Sequence, residues 1–136
     1  SLMTLEAWSI LTYSILVLFL ILIQGIYSIR TAGVAYGFSN RETPRLDKSG
    51  ISVRIDNTLD NFKEGALMYL PLALLAVSLN LSNAWTYYAA LATIISRLLY
   101  IPIYIVGIEK VRTLVWIPSF LAVPAMAFGI YRGLGY

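Results

Sequence analysis

Four long apolar stretches, separated by three polar interruptions of very unequal length, make up the pattern of this chain. The first runs from Leu5 to Ile29, unbroken through Leu16-Val17-Leu18-Phe19-Leu20-Ile21-Leu22-Ile23, and Arg30 closes it. A helix needs roughly 20 apolar residues to cross a bilayer, so the segment reads as a span. It is too long for a signal-peptide core, and it has neither a basic stretch ahead of it nor a small-residue cleavage pattern behind it. Ser1-Leu2 ahead of Met3 reads as an addition to the native start.

A polar loop covers residues 30–56, with turn signals at Gly33, Gly37, Asn40-Arg41-Glu42-Thr43-Pro44 and Asp47-Lys48-Ser49-Gly50. The second helix is expected to begin in the polar stretch Asp56 to Glu64 and to turn apolar from Gly65 to Leu81. Ser82-Asn83 then leaves only a two-residue turn, which forces an antiparallel hairpin. The third stretch is broken in polarity only by Ser96-Arg97, and Glu109-Lys110-Val111-Arg112 connects it to the fourth. The predicted spans are residues 5–29, 62–81, 85–108 and 113–131. They form one all-α domain over residues 1–136, an integral membrane four-helix bundle with no room for a soluble domain.

Composition agrees: 59% hydrophobic residues, 12% charged ones and a mean hydropathy of +0.75 exceed what a water-soluble surface tolerates. The chain has no cysteine and no histidine. That removes disulfides, thiolate nucleophiles, imidazole bases and Cys/His zinc sites, and no metal is expected. The net charge of +3 comes from basic residues scattered between spans, with no basic stripe for nucleic acid. Arg30, Arg41, Arg45, Lys48, Arg54, Lys63, Lys110 and Arg112 lie in or beside the first and third connections, and the second has none. The positive-inside rule then puts both termini on the non-cytoplasmic side.

Arg97 stands near the middle of the third span, where a cation costs about 2.5–3.5 kcal/mol on the lenient insertion scale. It needs a partner, and Glu64 is the carboxylate nearest membrane depth away from a terminus or loop. A Glu64–Arg97 ion pair between antiparallel neighbours is expected, either as part of a site or as a device that fixes helix register. Arg97, Tyr100 and Tyr104 share one helical stripe, and Arg54, Asn57, Asn61 and Glu64 share another. Two such stripes predict a cavity lined by donors and phenols, the alternative for the tyrosines being an interfacial aromatic belt. Alone, Arg112 reads equally as a snorkelling anchor, and Asn61 as a hydrogen bonder at a helix start.

The order Arg54, Asn61-Phe62-Lys63-Glu64, Ser96-Arg97-Leu98-Leu99-Tyr100, Tyr104 and Arg112-Thr113 resembles the MAPEG family, the membrane-associated proteins of eicosanoid and glutathione metabolism. Asn40-Arg41-Glu42-Thr43-Pro44 looks most like its bacterial branch, which implies a multi-pass protein of the bacterial inner membrane. The resemblance covers nearly the whole chain. It implies a homotrimer of twelve helices in contact with membrane lipids, binding glutathione as co-substrate between protomers and taking a lipophilic small-molecule substrate from the bilayer. By the same resemblance, Arg30, Arg54, Asn61, Glu64, Arg97, Tyr100 and Tyr104 would bind glutathione, and Arg112 would be the catalytic cation beside its thiol. The implied activity is that of a glutathione transferase or peroxidase, with no metal. Asn57 and Asp60 stand where relatives carry cations, and they favour the alternative of a non-catalytic trimer holding a lipid or other amphiphile in the inter-subunit cavity.

Overall fold

The computed structural model describes residues 2–32 and 50–136. They form four helices: α1 (Leu5–Ala32), α2 (Gly50–Ser78), α3 (Ala84–Val106) and α4 (Glu109–Gly133). The expected polar loop, with Asn40-Arg41-Glu42-Thr43-Pro44, falls mostly outside the described residues.

The helix order matches the expectation, but α4 takes in Glu109-Lys110-Val111-Arg112, which was expected as a connection, and both boundaries of α2 differ. Helix α2 begins at Gly50, earlier than Asp56, because Ser52, Ile55, Leu59 and Phe62 are buried at helical spacing straight through the charged stretch. It stops at Ser78 rather than Leu81. Asn80 takes a left-handed φ of 52°, and the Leu81 N–H closes back onto the Ala76 carbonyl at 2.9 Å, as in a Schellman ending. Asn83 then starts α3 with a capping box: its side chain accepts from the Thr86 N–H at 3.1 Å, while the Thr86 hydroxyl accepts from the Asn83 N–H at 2.9 Å. The Asn83 amide also donates to the Gly129 carbonyl at 2.8 Å, which ties the same turn to α4.

Among the described residues, α1, α3 and α4 are long and apolar enough to cross a membrane. The exception is α2, because Arg54, Asp56, Asp60, Lys63 and Glu64 crowd its first half. The bundle is arranged for lipid. Leu11, Ile15, Leu18, Leu22 and Ile26 face outward on α1, while Glu6, Ser9, Tyr13 and Ser28 of the same helix are buried. With no water in the hydrocarbon, polar side chains gather where protein can satisfy them, and the apolar ones meet the acyl chains.

Glu6 is the clearest case, since it is 1% exposed and lies in the first turn of a spanning helix. Its Oε2 accepts from the Thr86 hydroxyl of α3 at 3.2 Å, and its Oε1 has no hydrogen-bond partner among the described residues. One turn on, the Ser9 hydroxyl donates to the Glu6 carbonyl at 2.6 Å and shares a 2.5 Å hydrogen bond with the Tyr69 hydroxyl of α2. Three helices meet at this knot. Nearer the other end, the Gln24 amide donates to Asp56 at 2.8 Å and joins α1 to α2 again. Thr86→Val removes, at nearly constant shape, the carboxylate's donor among the described residues and the acceptor of the Asn83 N–H. The expected result is a loss of about 1–3 kcal/mol, read as a lower midpoint of thermal unfolding in detergent, with helix content by circular dichroism unchanged.

Candidate functional site

Arg97 is 4% exposed, so its cation is enclosed by protein. Three elements close around it. From α2, the Asn61 side-chain oxygen accepts from Nη1 at 2.6 Å. The guanidinium carbon lies 4.8 Å from the centre of the Phe62 ring, 5.4 Å from that of Tyr13 on α1, and 5.7 Å from that of Tyr100 one turn along its own helix. Tyr13 is fixed in turn by donating to the Phe62 carbonyl at 2.7 Å. Cation–π contacts of this kind gain strength when desolvated, so the aromatic box offsets part of the burial cost.

The expected Glu64–Arg97 ion pair is not formed. Asn61 takes the guanidinium, and Glu64, three residues further along α2, is exposed. Asn61 and Glu64 stand three residues apart on one side of α2, and the rotation of that helix against α3 brings Asn61 onto the guanidinium. Arg97 and Glu64 still line one small cavity of about 30 Å³, together with Asn61, Tyr13, Tyr69 and Thr93. The Arg97 Nε–H is buried without a partner among the described residues. The expected phenol-lined cavity is also corrected in its members: Tyr13 and Tyr69 line it, whereas Tyr100 and Tyr104 do not.

Tyr100 and Tyr104 instead continue the stack toward the end of α3. Their ring centres are 5.4 Å apart, and the Arg112 guanidinium carbon lies 4.7 Å over the Tyr104 ring. Arg97, Tyr100, Tyr104 and Arg112 thus form one ladder of cation, ring, ring and cation, running from mid-membrane to the first turn of α4. Arg112 stands at the end of α4 where the helix dipole is positive, so peptide and side chain present the same sign to an approaching anion. Arg54 donates from Nη1 to the Ile105 carbonyl at 3.1 Å. Arg30 is exposed in the last turn of α1 and lies outside the lining of the cavity.

Sequence reading missed Tyr13, Phe62 and Gly65. Tyr13 carried no signal beyond being a phenol in an apolar run, whereas Gly65 sits one turn from Asn61, at the point where α2 must let Arg97 approach. A Cβ on Gly65 would collide with the Arg97 guanidinium and the Tyr13 hydroxyl.

The fold and the site together define a polar-cored helical membrane protein whose interior holds a cation beside an unfilled donor. The model of the MAPEG family matches residues 7–132, nearly the whole length, and the chain belongs to that family. Neither the curated proteins nor the solved structures gave a match.

Gly65→Ala is expected to destabilise the protein by about 1–3 kcal/mol through overpacking and to push Arg97 off Asn61. Asn61→Ala relieves no clash but leaves Nη1 unpaired, so it should cost a similar amount. If thermal unfolding showed Gly65→Ala to be as stable as the parent, the close approach described for Arg97 would be wrong.

Proposed function

We propose that this chain is a membrane-bound transferase or peroxidase that uses glutathione as co-substrate on lipophilic electrophiles. The observation that carries the reading is the buried Arg97 with its Nε–H unpaired in a polar cavity, joined by two tyrosines to a second arginine at the head of α4. An orphaned cationic donor in hydrocarbon is costly and is satisfied by an anion. Glutathione offers two carboxylates, an ammonium and a thiol, which fit Arg97 and Arg30, Glu64, and Arg112 respectively. Asn61 orients Arg97 from one side, and Tyr100 and Tyr104 space the two cations.

The cavity of about 30 Å³ accepts a water or the tip of a ligand, far less than the roughly 300 Å³ at which small-molecule pockets begin. The body of a tripeptide must therefore lie outside the protomer. Asn57, Asp60, Lys63 and Glu64 are exposed along α2, and three charges on one face of a membrane helix are expensive against lipid. A further copy of the chain removes that cost. This supports a homotrimer with glutathione held between protomers, lipid around the rim, and the electrophile entering from the bilayer. We place the protein in a bacterial inner membrane with both termini non-cytoplasmic, in keeping with the basic residues at the α1, α2 and α4 ends that share one face.

In this reading the nucleophile belongs to glutathione, in keeping with a chain that has no cysteine. Arg112 beside the sulfur favours the thiolate, and the proton passes to water. The sulfur then bonds to the electrophilic carbon as the leaving group departs with its electron pair. Holding both reactants at one interface adds a second rate contribution through proximity.

A second reading is a trimer that binds an amphiphile without chemistry. An apolar groove of about 460 Å³ between α3 and α4, lined by Trp85, Ala89, Ala92, Pro118 and Ala122, has the shape for an acyl chain. One experiment separates the two. Calorimetry with glutathione and conjugation to a chlorodinitrobenzene electrophile should both be positive, and Arg112→Ala should lower conjugation at neutral pH roughly 10²-fold while heat remains. Conjugation unchanged in that variant would remove Arg112 from the mechanism, and an absence of heat in the parent protein would leave the amphiphile reading.

A further inference from the structure

Arg54 was expected among the ligand contacts, yet its side chain serves the backbone. It leaves the second turn of α2 and donates to the carbonyl of Ile105 in the last turn of α3. It also lies flat against Gly107, the residue that ends α3. A Cβ there would stand 3.0 Å from the Arg54 guanidinium carbon and 3.1 Å from Nη1. Gly107 takes φ +91°, and its N–H closes onto the carbonyls of Ile103 and Tyr104. Two demands for glycine therefore meet at one residue: a left-handed ending of the helix and the close approach of a planar cation.

The next residues carry the outer cation of the ladder. Ile108 precedes α4, its carbonyl accepts from the Arg112 N–H at 3.1 Å, and the Arg112 guanidinium rests on Tyr104. Any shift of the α3 ending moves both the ring under Arg112 and the backbone that bears it. Arg54 also sets a positive charge against the negative end of the α3 dipole, which would otherwise oppose the positive potential at the head of α4.

We propose that Arg54 and Gly107 form a clasp that positions Arg112 for its thiol, and that Arg54 acts as a positioning residue without touching the co-substrate. The clasp rests on the reading that Arg112 faces a thiolate, but its structural half stands without it. Because Arg112 lowers the pH at which the thiol ionises, loosening the clasp moves ionisation to higher pH. Activity lost at neutral pH then returns as the medium is made alkaline. The affinity for glutathione, set by Arg97, Arg30 and Glu64, stays within about twofold, while kcat/KM near neutrality falls roughly tenfold to a hundredfold, the scale of an ångström-sized misplacement.

Two variants test it: Arg54→Gln removes the charge and fork, and Gly107→Ala disturbs the same clasp from a residue that meets no ligand. Each is measured for glutathione affinity by calorimetry and for the pH profile of conjugation. In parallel, the cysteine-free chain allows a single nitroxide at the exposed turn through Ile108→Cys, read by electron paramagnetic resonance in the ligand-free protein. The expected result is a shift of the acid limb to higher pH in both variants at unchanged affinity, with a more mobile label in both. Weaker glutathione binding with an unmoved acid limb in Arg54→Gln would make Arg54 a ligand contact and overturn the proposal. Unchanged label mobility in both variants would overturn the clasp itself. A parent protein that neither binds nor conjugates glutathione would defeat the transferase reading, and the label would still decide the clasp.

Discussion

A guanidinium placed midway through hydrocarbon is the demand around which this bundle is organised. Arg97 is almost wholly buried, so protein must supply most of its hydrogen bonds and its screening. Asn61 gives one oxygen, and Phe62, Tyr13 and Tyr100 give three ring faces. These groups come from α1, α2 and α3, so fixing the cation fixes three helices relative to one another. Gly65 follows from the same demand, since any side chain there would occupy the space of the guanidinium and of the Tyr13 hydroxyl.

The choice of Asn61 over Glu64 has consequences for chemistry. A carboxylate would neutralise Arg97 and close the site to anions. An amide oxygen orients the guanidinium and leaves its charge uncancelled, with Nε–H still unpaired. Glu64 stays exposed on the surface of α2. The electrostatics thus separate into a cation held inside the protomer and a carboxylate presented at its surface.

A second polar centre, at the opposite end of the bundle, follows the same logic. Glu6, Ser9, Tyr69 and Thr86 tie α1, α2 and α3 together through hydroxyls, much as Arg54 and Gly107 tie α2 to the α3–α4 turn. Between them lie Arg97 and its rings. Lipid-facing surfaces give helices no hydrophobic drive to associate, so these polar ties and close packing at small residues decide how the helices sit.

The membrane class, the helix order, the antiparallel hairpin and the Arg97, Tyr100 and Tyr104 row were legible from residue order alone, because each depends on local periodicity and on the cost of putting charge in lipid. The stripe of Arg54, Asn57, Asn61 and Glu64 did not hold together, since Arg54 goes to the Ile105 carbonyl and Asn61 alone of the four bonds to Arg97. The extent of α2 was not legible, since residues 50–55, next to the turn signals of the loop, read as loop until tertiary burial of Ser52 and Ile55 makes them helix. Nor could spacing decide which of Asn61 and Glu64 would meet Arg97, because both lie within one turn and the rotation of α2 about its axis is set by its neighbours. The sequence determined that a buried arginine must be satisfied. Only the packing of three helices decided by whom, since direction in space is a property of the assembled bundle and not of any one strip of residues.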